Sequence, residues 1–221
     1  MKVLCLGGSG GMGRYATKAI ANFKELEVIT IADLNEDAAK EFAKSFDTKV
    51  QGIGLDVTDT KKLAEALEEH DVVLNTTGPF FMFGVAILKT AIENNCHYID
   101  ICDDWEPTEE MLKLDSQAKD KGITAIIGLG ASPGITNLMG LVAMEELDSV
   151  DTVITGWDLS SVNPAEESSQ AGTNAAMLHG IQQMTGKVKI FEDGQLSMVQ
   201  SLKRLKINYP GKGIYLSLIH I

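Results

Sequence analysis

Three glycines near the amino terminus have the spacing that a dinucleotide requires of a protein backbone. Gly8, Gly10 and Gly13 directly follow the apolar run 2–6, and the Ala-rich helical segment 15–23 comes after them. In this order of strand, turn and helix, we expect Gly8 to permit a tight turn, Gly10 to let a pyrophosphate approach the backbone, and Gly13 to let the helix pack closely on the sheet. The N–H groups of the first helical turn would then face the diphosphate. The predicted diphosphate-binding residues are Gly8, Ser9, Gly10, Gly11, Met12 and Gly13.

A carboxylate at the end of the second predicted strand supports the same interpretation. The apolar segment 28–32 leads into Asp33, about 20 residues beyond Gly13, where dinucleotide-binding folds place an acid that accepts hydrogen bonds from the ribose hydroxyls. The alternative is a glycine-rich turn that binds no ligand. The combination of strand, glycine turn, helix, strand and acid favours the cofactor.

Strand-like and helix-like segments alternate through the first two thirds of the chain. An alternating β–α chain forms a mostly parallel sheet with right-handed crossovers, so the predicted fold is α/β, a Rossmann-like doubly wound parallel sheet. Apolar runs predict further strands at 50–55, 71–75, 97–101 and 123–128. Helices are predicted at 36–44 with Asn35 as N-cap, 61–69, 85–95, 109–121 with Thr108 as N-cap, and 136–146.

Polar residues follow several of these strands at their carboxyl ends, where ligands bind in a doubly wound sheet. Asp56 follows the third strand, where a carboxylate can accept a hydrogen bond from an adenine amino group. The alternative is that Thr58 or Asp59 simply caps the next helix, and the sequence leaves both possibilities open. The loop 76–80 follows the fourth strand, so we expect it beside the nicotinamide half of the cofactor.

The sequence changes character at about residue 148. Alternating apolar residues at 150–157 predict a strand, and a helix is expected at 173–185. The runs 187–191 and 196–200 flank a turn that is typical of a β-hairpin.

Two domains follow from this change. Residues 1–147 are the predicted dinucleotide-binding domain, and 148–221 are predicted to begin an α+β substrate domain that lies over the cofactor. The tail 216–221 has no capping or solubilising character. We therefore expect the second domain to be truncated.

Composition and charge argue against several classes of protein. The 221 residues carry a formal net charge of −12, which disfavours nucleic acid or an anionic membrane surface as a partner, because phosphates are bound through Lys and Arg. The cysteines Cys5, Cys96 and Cys102 are too scattered for a disulfide framework, and no metal-ligand spacing accompanies them. There is no signal peptide and no apolar run near the roughly 20 residues of a membrane span. The expectation is a cytoplasmic enzyme without a metal.

Five segments of the chain resemble the saccharopine dehydrogenase family, which includes saccharopine reductases, lysine dehydrogenases and carboxynorspermidine dehydrogenase-like enzymes. The resemblance is good over residues 1–145 and loose beyond them. It implies an NAD(P)-linked oxidoreductase that acts at a carbon–nitrogen bond, interconverting an amine and an imine on an amino-acid or polyamine-like substrate. The segments that carry it are 8–13, Asp-Val-Thr-Asp at 56–59, Asn-Thr-Thr-Gly-Pro-Phe at 75–80, His-Tyr-Ile-Asp at 97–100 and Ser-Pro-Gly-Ile-Thr-Asn at 132–137.

The resemblance also implies roles for individual residues. The glycine turn would hold the diphosphate, and Asp56 and Val57 would bracket the adenine. Ser132 and Pro133, with Gly134, would close the cofactor cleft. The loop after the fourth strand would flank the nicotinamide ribose through Thr76, Thr77, Gly78, Pro79 and Phe80.

One departure from the family pattern bears on the choice of cofactor. NADP-using members resemble each other in carrying an Arg just after the second strand, where this chain has Asp33 and Leu34. A carboxylate accepts hydrogen bonds from free ribose hydroxyls and repels a 2′-phosphate. NAD is therefore favoured over NADP, with Asp33 and Leu34 as predicted contacts.

Oxidation of an amine requires that the amine first be deprotonated, so a carboxylate near the nicotinamide is expected. Asp103 is the first candidate and Asp104 the second, because both follow the fifth strand on the cofactor side. The alternative is that these acids are merely solvated. Lys203 and Arg204 are chemical candidates for binding a substrate carboxylate, although a solvated surface role is favoured for them. A homodimer is compatible with the sequence.

Two other functional classes share parts of this pattern. A non-redox NAD(P)-binding sensor or atypical reductase would have the same glycine turn but no open substrate pocket over 77–80. A short-chain dehydrogenase would carry a Tyr-x-x-x-Lys pair, and no tyrosine of this chain has Lys four residues later. The second class is therefore disfavoured.

Overall fold

The computed structural model describes residues 1–47, 49–155, 181, 185–209 and 213–219. The chain divides into two compact units, 1–169 and 170–221. The first unit contains the predicted cofactor residues.

The first unit is built on one parallel sheet, as the sequence predicts. Its six strands lie in the order β3-β2-β1-β4-β5-β6, and every neighbouring pair is parallel. The order reverses between β1 and β4, which is the point where a doubly wound sheet opens a crevice for a ligand. The strands are β1 (Lys2–Leu6), β2 (Val28–Asp33), β3 (Val50–Gly54), β4 (Val72–Asn75), β5 (His97–Asp100) and β6 (Ala125–Ile126).

Helices cover both faces of this sheet, so its central strand is buried on both sides. In β1, Val3 and Cys5 belong to one hydrophobic cluster, and Leu4 and Leu6 belong to the other. Successive side chains of β1 thus point to opposite faces of the sheet, and hydrophobic core lies on both faces. The helices are α1 (Gly11–Ile20), α2 (Glu36–Ala43), α3 (Thr60–Glu68), α4 (Phe80–Glu93), α5 (Trp105–Leu112), α6 (Asp115–Asp120) and α7 (Thr136–Glu145).

Three helices differ from their prediction. Helix α1 occupies Gly11–Ile20 rather than 15–23. Helix α4 begins at Phe80 rather than at residue 85, because Phe80 packs into the core and outweighs the weak helical propensity of Gly84. The predicted helix 109–121 is wrong in its start and in its continuity, because the range is divided between α5 and α6. It begins at Trp105, since Pro107 is tolerated in a first helical turn. Thr108 therefore lies inside α5 and is not its N-cap, and its hydroxyl donates to the Asp104 carbonyl at 2.7 Å.

The second unit contains antiparallel hairpins. Strands β7 (Lys187–Glu192) and β8 (Gln195–Gln200) form the predicted hairpin. Its two-residue turn, Asp193 and Gly194, has positive φ angles of 52° and 77°, as the twist of paired strands requires. Strands β9 (Lys203–Tyr209) and β10 (Gly213–Ile219) pair in the same manner.

Two other predictions for the region beyond residue 148 have different outcomes. No strand forms at 150–155, so the described part of the predicted strand 150–157 is wrong. The helix predicted at 173–185 lies largely outside the described residues. In the described part of the chain, no helix has both the length and the apolar composition that crossing a bilayer requires.

Candidate cofactor site

The glycine turn after β1 is tight, and it depends on Gly7 as well as on Gly8. Gly7 has a φ angle of +67°, a conformation that side chains disfavour. At Gly8, a Cβ would lie 2.9 Å from the Cβ and carbonyl oxygen of Cys5, so the absence of a side chain there permits the turn. At Gly13, a Cβ would lie 2.0 Å from the Gly7 carbonyl oxygen. Gly13 thus permits the close packing of helix on turn that its position predicts.

The amino end of α1 suits an anionic group. Its N-cap is Gly10, which has no side chain to accept from the first-turn N–H groups, and no acid lies in that turn. A Cβ at Gly10 would meet a single atom within 4 Å, the Gly7 carbonyl oxygen at 3.2 Å. Space therefore remains in front of the helix, where unpaired N–H groups and the helix dipole favour a phosphate. Gly11 and Met12, which begin α1, are both exposed.

Asp33 is held in place at the end of β2. The Ser9 hydroxyl donates to Asp33 Oδ2 at 2.6 Å, and the Asn35 N–H donates to Oδ1 at 3.2 Å. These bonds aim a carboxylate beside the glycine turn, as its predicted ribose contact requires. The carboxylate borders an open depression of about 610 Å³, which residues 33–37 line. Leu34 lies there with 76% of its surface exposed.

Arg14 is a cation at this place that the sequence analysis did not identify. Its Nε donates to the Ser9 carbonyl at 2.7 Å, and its guanidinium lies 4.4 Å from the centre of the Phe42 ring. Ser9 therefore bonds two charged side chains: its hydroxyl donates to the Asp33 carboxylate, and its carbonyl accepts from the Arg14 guanidinium. In the sequence, the feature that could have identified this cation was the position of Arg14 directly after Gly13, the last glycine of the turn.

The loop after β4 packs against the glycine turn. The Thr76 N–H and hydroxyl both donate to the Leu6 carbonyl, at 2.9 and 2.8 Å. The Oγ1 atom of Thr77 is buried and has no hydrogen-bond partner among the described residues, so it can bind a group that enters the site. Gly78 leads to Pro79, the N-cap of α4. Phe80 turns its side chain into the core, with only 7% exposed.

In the turn after β3 the structure shows the helix cap that the sequence left open, whereas the adenine contact of Asp56 stays a prediction. Asp59 is the N-cap of α3 and accepts from the Lys62 N–H at 3.1 Å. Asp56 Oδ1 accepts from the N–H and hydroxyl of Thr58, at 2.8 and 2.7 Å, and these bonds lower the pKa of Asp56. Asp56 is exposed, whereas Val57 is half-buried against the core.

The loop after β5 separates the two predicted catalytic carboxylates. Asp103 is exposed. Asp104 is the N-cap residue of α5 and only 5% exposed. The adjacent Cys102 thiol donates to the Asp104 carbonyl over 3.6 Å, and burial raises the pKa of Cys102 to about 12. Of these groups, Asp103 is the one that solvent reaches.

A further loop follows β6 at the same edge of the sheet. It contains Ser132 and Pro133, both half-buried, in a short irregular helical turn, Ala131–Ile135, that also includes Gly134. The loop begins at Gly128, whose N–H donates to Asp100 Oδ1 at 2.7 Å. It is thereby tied to the end of β5.

The carboxyl edge of the sheet thus carries every predicted cofactor residue, together with both predicted catalytic acids. Lys203 and Arg204 belong to β9 of the second unit, and their side chains lie outside the described structure. The fit to a dinucleotide rests on the open space before Gly10, the fixed Asp33 carboxylate and the buried Thr77 hydroxyl.

Comparison with known proteins identifies the family to which this cofactor site belongs. Residues 3–126, more than half of the chain, match the family described as saccharopine dehydrogenase NADP binding domain. Over 142 residues the chain is 29% identical to a saccharopine dehydrogenase (NADP⁺, L-glutamate-forming) of Pyricularia oryzae, covering 64% of this chain and 30% of that protein. Over 230 residues it is 23% identical to a carboxynorspermidine synthase of Vibrio alginolyticus, covering 93% of this chain and 54% of that protein.

One further relative extends the range. A lipid droplet localized protein of Caenorhabditis elegans is 28% identical over 138 residues, which are 58% of this chain and 32% of that protein. The chain therefore spans from about a third to about half of the length of these relatives.

A solved structure shares the fold. Apo saccharopine dehydrogenase (L-Glu forming) of Saccharomyces cerevisiae has a TM-score of 0.64 at 22% identity, covering 96% of this chain and 48% of that one. Fold, glycine turn and family match agree in assigning an NAD(P)-binding domain. The chain therefore belongs to the saccharopine dehydrogenase family, whose model of the NADP binding domain matches residues 3–126.

Proposed function

We propose that this chain is the cofactor-binding portion of an NAD(P)-dependent oxidoreductase that interconverts an amine and an imine. The observation that carries the proposal is the meeting of the glycine turn, Asp33 and the loop 76–80 at one edge of the sheet. The names of a saccharopine dehydrogenase and a carboxynorspermidine synthase among the relatives support an amino-acid or polyamine-like substrate. When bound, the nicotinamide carries the hydride.

The protein's own contribution at the first half of the site is binding and orientation. The N–H groups at the start of α1 donate to the diphosphate, with no side chain at Gly10 in the way. Asp33, fixed by Ser9, accepts from the ribose hydroxyls. Asp56 and Val57 lie at the end of β3, where the adenine is expected.

Asp103 is the group that we assign to the substrate amine. It is exposed on the loop after β5, so its carboxylate can hold a substrate ammonium group and accept the proton that the amine must lose. Asp104 is buried, which makes it the second candidate. Residues 148–221 are assigned to the start of the substrate domain, and Lys203 and Arg204 remain candidates there for a substrate carboxylate.

Within this proposal NAD is preferred over NADP, although the family is described by its NADP binding domain. Three acids line the depression beside the ribose position, namely Asp33, Glu36 and Asp37. Like charges within a few ångströms repel, so these carboxylates disfavour a 2′-phosphate. Arg14, which bonds Ser9, and Lys40, which pairs with Glu36 at 2.5 Å, oppose them, and these two cations are outnumbered by the three acids.

The first experiment is titration of the chain with NADH and with NADPH, followed by nucleotide fluorescence. We expect the wild type to bind NADH more tightly, and Asp33→Asn to reduce that preference by about tenfold, because one charge-assisted hydrogen bond is weakened and one repulsion is removed. Glu41→Gln is the matched control, since it also removes one negative charge from α2 but does not line the depression, and it should leave the preference within about twofold.

Two results would contradict parts of the proposal. Tighter binding of NADPH by the wild type would refute the preference for NAD. Failure to bind either nucleotide would refute the oxidoreductase itself. Once the cofactor is known, lysine, saccharopine and polyamines are the substrates to screen for nucleotide reduction, with Asp103→Asn expected to lose turnover while it keeps nucleotide affinity.

A further inference from the structure

A buried chain of hydrogen bonds runs beneath the strand-end loops of β4, β5 and β6. Asn75 Nδ2 donates to the Tyr98 hydroxyl at 3.0 Å, and that hydroxyl donates to Asp100 Oδ2 at 2.8 Å. The three side chains are fully buried, each with 0% of its surface exposed. Asn75 and Asp100 are direct partners in the pairing of β4 with β5. We call Asn75, Tyr98 and Asp100 the buried triad.

Each end of the buried triad holds backbone of a different loop. Asn75 Oδ1 accepts from the Thr77 N–H at 2.9 Å. Asp100 Oδ1 accepts from the N–H groups of Cys102 at 3.0 Å and Gly128 at 2.7 Å. Thr77, Cys102 and Gly128 are each the second residue after their strand. They lie at the starts of loop 76–80, of the loop that contains Asp103 and of the loop that contains Ser132. Three side chains thus fix the starts of all three loops.

The direction of these bonds is set by the carboxylate. Asp100 accepts at both oxygens, so the Tyr98 hydroxyl must donate to it and can only accept from Asn75. The amide of Asn75 is thereby oriented with its oxygen toward the Thr77 N–H. A negative charge at Asp100 consequently determines the orientation of a group two side chains away.

Stability alone is a poor explanation for the buried triad. Burial of a charge without a cation is costly, and no Lys or Arg forms an ion pair with Asp100 among the described residues. Apolar side chains of similar volume often stabilise a core as well as buried charges do. Apolar side chains, however, cannot hold three backbone N–H groups in fixed positions.

We infer that Asp100, acting through Tyr98 and Asn75, is a positioning residue that sets the three loops around the nicotinamide half of the cofactor. The inference rests on the proposed function. In a doubly wound sheet each half binds one mononucleotide, so the β4–β6 half faces the nicotinamide nucleotide. The buried triad then affects that half of the ligand and not the adenosine half.

The test compares two ligands on the same proteins. NADH contains both nucleotide halves, whereas ADP-ribose lacks the nicotinamide. For Tyr98→Phe, which keeps the ring and removes the central hydroxyl, we expect the Kd for NADH to rise about tenfold and the Kd for ADP-ribose to stay within about twofold. Asp100→Asn should give the same split. The emission of bound NADH, which reports the nicotinamide surroundings, should shift in both variants.

Thr30→Val is the matched control. It also deletes a buried hydroxyl from the sheet, one that accepts from Gln51 Nε2 at 3.0 Å and bonds His70 Nε2 at 2.8 Å, but in the β1–β3 half. It should leave both Kd values and the NADH emission unchanged. A loss of stability alone would act on all variants without distinguishing the two ligands.

The outcomes separate the inference from the proposed function. If Tyr98→Phe raises the Kd for NADH and the Kd for ADP-ribose equally, the inference is overturned while the oxidoreductase proposal stands. The same holds if the Kd for NADH is unchanged. Equal affinity of the wild type for NADH and ADP-ribose also overturns it, because the nicotinamide half then gains nothing from the loops. If the wild type binds neither ligand, the proposed function fails and the inference fails with it.

Discussion

The two halves of the sheet position their strand-end loops by different means. In the β1–β3 half, exposed or part-buried groups hold the turns: the Gly10 N–H donates to the Gly7 carbonyl at 2.9 Å, Thr58 donates to Asp56, and Ser9 donates to Asp33 across 24 residues. In the β4–β6 half, buried side chains bridge different strands, and the bond from Gly128 to Asp100 spans 28 residues.

This difference matches the demands of the two ligand halves. A diphosphate and a ribose need N–H groups and one carboxylate, which a short glycine turn and a strand end supply. A hydride transfer needs its reacting atoms held at a defined distance, because small misplacements cost large factors in rate. The second half therefore depends on connections between loops.

The largest effect is expected for a substitution of Gly13. This substitution tests whether the β1–β3 half of the sheet depends on close backbone packing. A Cβ there would lie 2.0 Å from the Gly7 carbonyl oxygen and 2.7 Å from the Gly8 Cα. Gly13→Ala should lower the free energy of unfolding by about 2 kcal/mol or more, since overpacking forces the backbone to move. Urea unfolding measures this change.

Gly10→Ala is the comparison variant for Gly13→Ala. Its Cβ would meet only the Gly7 carbonyl oxygen, at 3.2 Å, so the free energy of unfolding should fall by less than about 1 kcal/mol. Its NADH affinity should nevertheless be lost, because the methyl group occupies the space before α1. Retained affinity in Gly10→Ala would show that the diphosphate does not lie there.

Carboxylates of the two halves should respond to pH with opposite signs. Burial raises the pKa of Asp100 above 3.8, against the hydrogen bonds from Gly128, Cys102 and Tyr98. Hydrogen bonds from Thr58 lower the pKa of the exposed Asp56. A carboxyl group whose pKa is raised by folding stabilises the protein at low pH, and this stabilisation is lost as pH rises through the folded-state pKa. A carboxyl group whose pKa is lowered stabilises the protein at higher pH, and this stabilisation is lost as pH falls.

Urea unfolding from about pH 4 to pH 7 tests these signs. The stability of the wild type relative to Asp100→Asn should decrease as pH rises across this range. Its stability relative to Asp56→Asn should change less and should not decrease, because Asp56 is exposed and its pKa shift has the other sign. If the difference in free energy of unfolding between the wild type and Asp100→Asn increased with pH, the hydrogen bonds from Gly128, Cys102 and Tyr98 would lower the pKa of Asp100 more than burial raises it.

The smallest effect is expected in the reactivity of two cysteines. Cys5 lies in the β1–β3 half of the sheet and Cys102 in the β4–β6 half, so each thiol reports on one half. Burial raises the pKa of both Cys5, in β1, and Cys102, after β5, to about 12. Thiolate is then scarce at neutral pH, so both thiols should react slowly with a disulfide reagent. In Tyr98→Phe we expect Cys102 to react severalfold faster and Cys5 to be unchanged, as measured by labelling and peptide mass spectrometry. Equal acceleration of both thiols would indicate general loosening instead of a local effect.

The sequence by itself determined the parts of this protein that depend on local patterns. Short apolar runs predicted all six strands of the sheet, although β6 is shorter than predicted, and glycine spacing predicted the turn before α1. Asn35 was correctly predicted as the N-cap of α2, where its side chain accepts from the Ala38 N–H at 3.0 Å. These features are readable because a turn, a cap or a strand face is specified by residues a few positions apart.

The tertiary structure decided what depends on distant residues. The Ser9 to Asp33 bond and the cation at Arg14 required the packing of α1 beside β2. The early start of α4 required Phe80 to find the core. The roles of Tyr98 and Asp100 appeared only when β4, β5 and the loop after β6 were adjacent, because hydrogen bonds act over about 3 Å in space and not along the chain.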